Sequence, residues 1–257
     1  MPILKPNPRK DISLKIEWAD HRIQDFKRAL AAFKRADPYS LKVDIDPNSR
    51  KPLFQITKAC SIPPDISLIA GDAIQNLRTA LDYLACGLVL WNNQTPTTHT
   101  EFPIFDEEPI TARDKSRFSG KIKGARQEAI DAIWAIHPYQ GGDNTLWRLH
   151  QLNRIDKHNM LITAWGGVTG VNGPPPIGDR WIGNRWAGIP GVPFPLKQGD
   201  KFFIDAPDVD EYTSLFLEVA FNEPDVAEGY PVLLALRKMF RRVNEIAGDL
   251  IRRFATF

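Results

Sequence analysis

Cysteine is scarce in this sequence: Cys60 and Cys86 are the only two in 257 residues. With no secretory signal legible, a disulfide framework is not expected, the location expected is cytoplasmic and reducing, and both thiols are read as buried. No run approaches the roughly 18 apolar residues of a membrane span, so no membrane partner is expected. An excess of charge of one sign is lacking too. Against 33 Lys plus Arg stand 31 Asp plus Glu, leaving +2, and any RNA or other anionic partner therefore needs a local patch. Paired cysteines, a Glu-x-x-His step, a phosphate-cradling glycine loop and a serine elbow are all missing. The five histidines (His21, His99, His137, His150, His158) are scattered, and neither a metal nor a cofactor is expected.

What is present is ordinary globular composition, with 43% hydrophobic and 25% charged residues, enough for one large core. Apolar residues from Ile12 to Phe33 recur at spacings of three and four, which predicts an amphipathic helix over 10–36, ended by Asp37-Pro38. LKVDID and PLFQITKA alternate about Pro47-Asn48-Ser49-Arg50 and predict a β-hairpin. Pro63-Pro64-Asp65 opens a helix to about Trp91, with Ile66, Ala73, Leu77, Leu81, Leu84 and Leu88 on its stripe. Polar, proline-interrupted chain over 92–119 encloses EFPIF, a strand or anchor. Helices are then predicted over 121–136 and 145–164, broken at His137-Pro138 and Gly141-Gly142.

The glycine- and proline-rich stretch after 164 reads as a β insertion over 165–222. The GGVTGVNG cluster is read as its turn chemistry, DRWIGNRWAG as a tight hairpin about Gly183-Asn184, and KFFIDAP and TSLFLEVAF as strands. Pro231 opens the last helix, to about Phe254, with Leu233, Leu236, Phe240, Val243, Ala247, Leu250 and Phe254 along its apolar side. The fold class expected is α+β. A single domain, 1–257, is expected, mainly an antiparallel helical bundle (10–164 and 230–254) with an N-terminal β-hairpin and a small β-rich insertion before the C-terminal helix.

Two helices carry ionisable groups inside apolar patterns, GDAIQNLRTALDYLA at 71–85 and LWRLHQLNRIDKHNMLITA at 146–164. Buried ionisable groups must find partners. Where these helices pack, Arg78, Asp82, Arg154, Asp156, Lys157 and His158 therefore form a structural network or a site. Arg78 and Asp82, four apart, share a helix face, and a guanidinium held by a carboxylate is preorganised to grip an anionic oxygen. His158 is the candidate acid or base, since imidazole titrates near neutrality, with Asp156 to orient it or to take Arg78. Arg154, Lys157, Asn76, Asn153 and Tyr83 are the candidate binding residues. Arg180-Trp181 and Arg185-Trp186 offer guanidinium beside indole, a stacking surface for bases or simple hairpin packing. The last helix carries six basic residues that read as a wetted face or a phosphate track.

These two strings, GDAIQNLRTALDYLA and LNRIDKHNML, resemble the paired signature of an uncharacterised bacterial family whose members read GD-x-x-H-N-L-R-S-A-L-D-H-L and later N-x-x-D-K-H-R. This chain departs at Gln75, Tyr83 and Asn159. The family's Arg-x-x-x-x-His arrangement is similar to that of HEPN-type helical domains, many of them metal-independent ribonucleases that act as dimers. The resemblance thus implies RNA as a partner and a homodimer. Here the arrangement reads Arg78 to Tyr83, and a phenol of ordinary pKa about 10 replaces the imidazole poorly, so an active nuclease by that route is not expected unless His158 serves instead. The competing expectation is a non-catalytic interaction or scaffold protein whose polar network only locks helix register.

Overall fold

The structure is a computed structural model. It describes residues 7–159, 163–171, 181–182, 185–186, 191–204 and 215–255, with backbone alone for 163–171, 181–182, 185–186 and 215–216. In chain order its elements are α1 (Pro8–Arg35), β1 (Tyr39–Ile45), β2 (Pro52–Ala59), α2 (Pro64–Leu90), α3 (Ala112–Lys121), α4 (Gln127–Trp134), α5 (Asn144–His158), β3 (Thr163–Val171), β4 (Trp181–Ile182), β5 (Arg185–Trp186), β6 (Lys201–Phe202), β7 (Leu215–Phe221) and α6 (Val232–Phe254). The class is mixed helix and sheet.

The chain divides into two compact units, one formed by Met1–Ile23, Gly71–His158 and Leu236–Phe257, the other by Gln24–Ala70 and Asn159–Ala235. Every described strand falls in the second unit. There β1, β2 and β6 make an antiparallel sheet in that order, and β3 pairs with β7. Alternation in PLFQITKA buries Phe54 and Ile56, and Phe54 stacks on Phe202 at 5.8 Å. The hairpin loop is held by Asp46, whose carboxylate accepts the Ser49 N–H at 2.7 Å and hydroxyl at 2.6 Å. These bonds lower its pKa.

The first unit is helical among the described residues. Its core comes from the expected stripes: Ile12, Ile16 and Ala19 of α1, Leu77, Leu81, Leu84 and Leu88 of α2, and Leu236, Val243, Ala247 and Leu250 of α6 are buried. On α6 the buried face also takes in Met239 and Ile246, while Leu233, Phe240 and Phe254 are only half-buried. Asp143 starts α5 by accepting the N–H groups of Thr145 and Leu146, both at 3.0 Å, and the Arg242 Nε at 2.6 Å.

Several sequence readings are corrected. The polar stretch over 92–119 contains a helix, α3, whose Thr111 hydroxyl accepts the Asp114 N–H at 3.2 Å, a Thr-x-x-Asp start signal. The helix expected over 121–136 is instead the end of α3 and the separate α4. Between them Gly124 adopts φ +97°, a conformation side chains rarely take. Helix α5 stops at His158 rather than 164, and by Thr163 the chain is in β3. GGVTG lies inside that strand, absorbed by register shifts between Trp165 and Val168 and between Val168 and Gly170. Cys60 is exposed and Cys86 half-buried, so the two thiols are not both interior. In the DRWIGNRWAG hairpin Trp181 pairs with Trp186 and Ile182 with Arg185. Gly183, Asn184, Arg180 and the indole and guanidinium positions lie outside what is described.

Candidate functional site

The two motif helices do pack against each other, antiparallel and within one unit: Arg78 meets His150, and Gly71 meets Asp156. Arg78 sits among the fully buried Ile74, Leu77 and Leu81 and is itself only 3% exposed. Each nitrogen of its guanidinium has an acceptor. Nε donates to His150 Nδ1 at 3.3 Å, Nη1 to Asp82 Oδ1 at 2.5 Å and Nη2 to the Phe102 carbonyl at 3.0 Å. Asp82 Oδ1 also accepts the Phe102 N–H at 3.0 Å. The main chain of the EFPIF segment is thereby clamped to α2 from both sides. This segment is an anchor, with Phe102 and Ile104 buried and Phe105 bridged to Tyr139.

Burial sets the proton chemistry of the centre. Desolvation, and then the charges of Arg78, Arg154 and Lys121, push His150 down to about 4. It is neutral at pH 7, and because its Nδ1 accepts, its proton belongs on Nε2. Burial raises the Asp82 carboxyl, outweighing the opposing pull of Arg78 and the Phe102 N–H. Glu101, 3.9 Å from Arg78 Nη2, is in close contact with Lys121 Nζ. Burial alone would raise it, but the Lys121 bond and charge, with Arg78 and His150, hold it below the usual range.

Beside this centre opens a hollow of about 330 Å³ lined by Thr98, His99, Glu101, Arg117, Gly120 and Lys121. The Phe105 ring supports both cations, with Arg117 at 6.0 Å and Lys121 at 5.6 Å from its centroid. The cationic side chains therefore stand at the hollow's wall, while Arg78 is sealed behind it.

Other residues singled out in the sequence lie elsewhere. Asn76 and Tyr83 face α1: Asn76 donates to the Asp72 carbonyl at 2.7 Å and accepts from Lys15 Nζ at 3.1 Å. With Asp11, Leu14, Lys15 and Trp18 they line a second hollow of about 380 Å³. Asn153 is buried and Asp156 half-buried on the α5 face toward α2. Arg154 is exposed and pairs with Asp106 at 3.5 Å. Lys157 and His158 are exposed at the end of α5. His158 lies eight residues beyond the Arg78 contact at His150, about 12 Å along the axis, so Arg78, Asp82 and Asp156 are not gathered about it. Among the described residues no group of three or more His, Cys, Asp and Glu could hold a metal ion, and no helix is long and apolar enough to cross a membrane.

Comparison with protein-family models, with curated proteins and with solved structures finds no match. The site therefore rests on its own geometry, and that geometry brings in residues the sequence reading passed over: His150, Glu101, Phe102, Arg117 and Lys121. One of them carried a signal. His150 follows Leu146 by four and precedes Asn153 by three, so it belongs to the face that packs on α2. For Glu101 and Phe102 no periodic signal existed.

Proposed function

We propose that this is a cytoplasmic, non-catalytic binding protein that takes up an anionic group in the hollow walled by Arg117, Lys121, His99 and Thr98. In this reading its Arg78 centre is a brace that holds the wall in place. One observation carries it: Arg78 engages all three of its nitrogens with internal acceptors, leaving the exposed Arg117, and next to it Lys121 in its contact with Glu101, as the cations at the wall of the hollow. A desolvated guanidinium with every nitrogen engaged internally serves register, whereas cations on an open concave wall can meet a phosphate or carboxylate. The bonds to His150, Asp82 and Phe102 seat α5 and the EFPIF segment on α2. Glu101 then links that seat to Lys121.

The finer architecture that accompanies this reading is a HEPN-like antiparallel bundle of α1, α2, α5 and α6, as the resemblance of the two strings implies. Its support is the antiparallel seating of α2 on α5 and the Lys15–Asn76 contact between α1 and α2. The ribonuclease reading keeps one supporting feature, the exposed run of Arg154, Lys157 and His158 at the end of α5.

Calorimetric titration of the full chain at low salt with inorganic phosphate, and separately with a short single-stranded RNA, tests the proposal. Binding should weaken at least about tenfold in Arg117→Glu, because the exposed guanidinium is reversed in sign at the hollow. No binding by the wild type, or binding untouched by Arg117→Glu, defeats it. RNA cleavage that disappears in His158→Ala would put the ribonuclease in its place.

A further inference from the structure

The two motif strings meet a second time, two turns of α2 away from Arg78, and this meeting takes no part in the brace. Here Asp156 packs directly onto the backbone of α2. A Cβ on Gly71 would collide with the Asp156 carboxylate, 2.8 Å from its Cγ, so any other residue there forces that side chain to shift. The next residue on α2, Asp72, brings a second carboxylate near enough that its charge raises the Asp156 pKa, after burial, the larger cause. Neither carboxylate is in an ion pair among the described residues. Two acidic groups this close beside a helix seam repel each other unless a cation or a proton lies between them.

A third oxygen points to which. Asn153 is 4% exposed, and its Oδ1 has no hydrogen-bond partner among the described residues. Its direction is bracketed by its neighbours on α5. Three residues before it, His150 bonds Arg78, and three residues after it, Asp156 lies on Gly71. Residues three apart share a helix face, so Asn153 faces α2 between those two contacts, next to the carboxylate pair. A buried amide oxygen without a donor is costly, and a proton shared by the two carboxylates would leave it unpaired. A metal ion answers all three oxygens at once.

We propose that Asp72, Asn153 and Asp156 form a binding site for a hard divalent cation, calcium or magnesium, at the seam of α2 and α5. The donor set is all oxygen, two carboxylates and an amide carbonyl, with no sulfur or imidazole, which selects hard cations over zinc or copper. Asp72 is exposed and Asp156 half-buried, so the remaining coordination is completed by water, as magnesium and weak calcium sites allow. The site is separate from the hollow beside Arg78 and does not depend on the reading given there. It gives a role to Gly71, Asp72, Asn153 and Asp156, the parts of the two strings that the brace does not use.

The test uses the full chain freed of metal by a chelator and then titrated with calcium chloride or magnesium chloride alone, against sodium chloride at matched ionic strength. At a hundredfold excess over Kd the melting temperature of the wild type should rise by about 5 °C or more. Calorimetry should show a single site, weakened at least about tenfold in Asp156→Asn and in Asp72→Asn. Asp156→Asn removes the like-charge repulsion with no change of shape, so without metal it should melt no lower than the wild type. Asn153→Ala should weaken divalent-ion binding as well, since it removes the amide oxygen. Absence of any divalent-specific rise in the wild type overturns the proposal, and so does a rise that persists in both aspartate variants.

Discussion

Replacing Arg78 with methionine is the most direct probe of the brace. Methionine keeps much of the stem's volume among Ile74, Leu77 and Leu81 but strips the acceptors at His150, Asp82 and Phe102 of their donor. Removing one partner of a buried ion pair costs about 3–5 kcal/mol, largely because the other charge is stranded. Asp82 is 33% exposed at its side chain and keeps the Phe102 N–H, so water relieves part of that cost. We therefore place the loss near 3 kcal/mol, the lower end. For a chain of this size that is a fall of about 6–12 °C in melting temperature.

The double variant Arg78→Met, Asp82→Leu separates the pair from its surroundings. With the stranded carboxylate gone, it should recover about half of the loss, and because Asp82→Leu alone strands the buried Arg78 at a cost of its own, the favourable coupling in a double-mutant cycle should be at least about 1.5 kcal/mol. Urea unfolding followed by circular dichroism and tryptophan fluorescence reads both. If Arg78→Met stays within about 1 kcal/mol of the wild type, the guanidinium is not the brace described here.

Two further outcomes follow from the same geometry. His150, held at about 4 against 6.5 in an exposed chain, binds its proton more readily when unfolded, so its contribution is complete above pH 6.5 and is lost as pH falls toward 4. That contribution is at most about 3 kcal/mol. His150→Gln, whose amide oxygen can accept the same Arg78 bond, should flatten the pH dependence of unfolding in that window, and an unchanged slope would rule out a buried neutral imidazole. Gly71→Ala should destabilise the wild type by about 1–2 kcal/mol through its collision with Asp156, yet stabilise an Asp156→Ala background by up to about 1 kcal/mol through helix propensity. The same sign in both backgrounds would mean the collision is not what keeps glycine there.

Helices α1, α2 and α6 were legible because long amphipathic periods bury a continuous stripe, and the β1–β2 hairpin because alternation over a covered face fixes its register. The end of α5 was not, since Met160-Leu161-Ile162 reads as one more apolar turn and no capping residue announces the strand at Thr163. The glycines of β3 resembled turns because a sequence does not show which irregularities a partner strand absorbs. In the site, Arg78 with Asp82 was readable from spacing on one helix, as was the meeting of the two strings. Its other members come from segments with no periodicity: Glu101 and Phe102 from extended chain, Arg117 and Lys121 from a helix whose only signal was the Thr111 cap. His158 drew attention by its chemistry, but helix geometry gives the contact to His150, eight residues earlier.

The EFPIF segment enters the Arg78 centre through the amide and carbonyl of residue 102, and neither atom depends on the side chain there. Nineteen amino acids could supply both; proline alone, lacking the N–H, could not donate to Asp82. Substitution at that position is therefore constrained by the packing of the phenyl ring and not by the polar contacts. A half of the brace written in main chain leaves no trace for a search that compares side-chain identities.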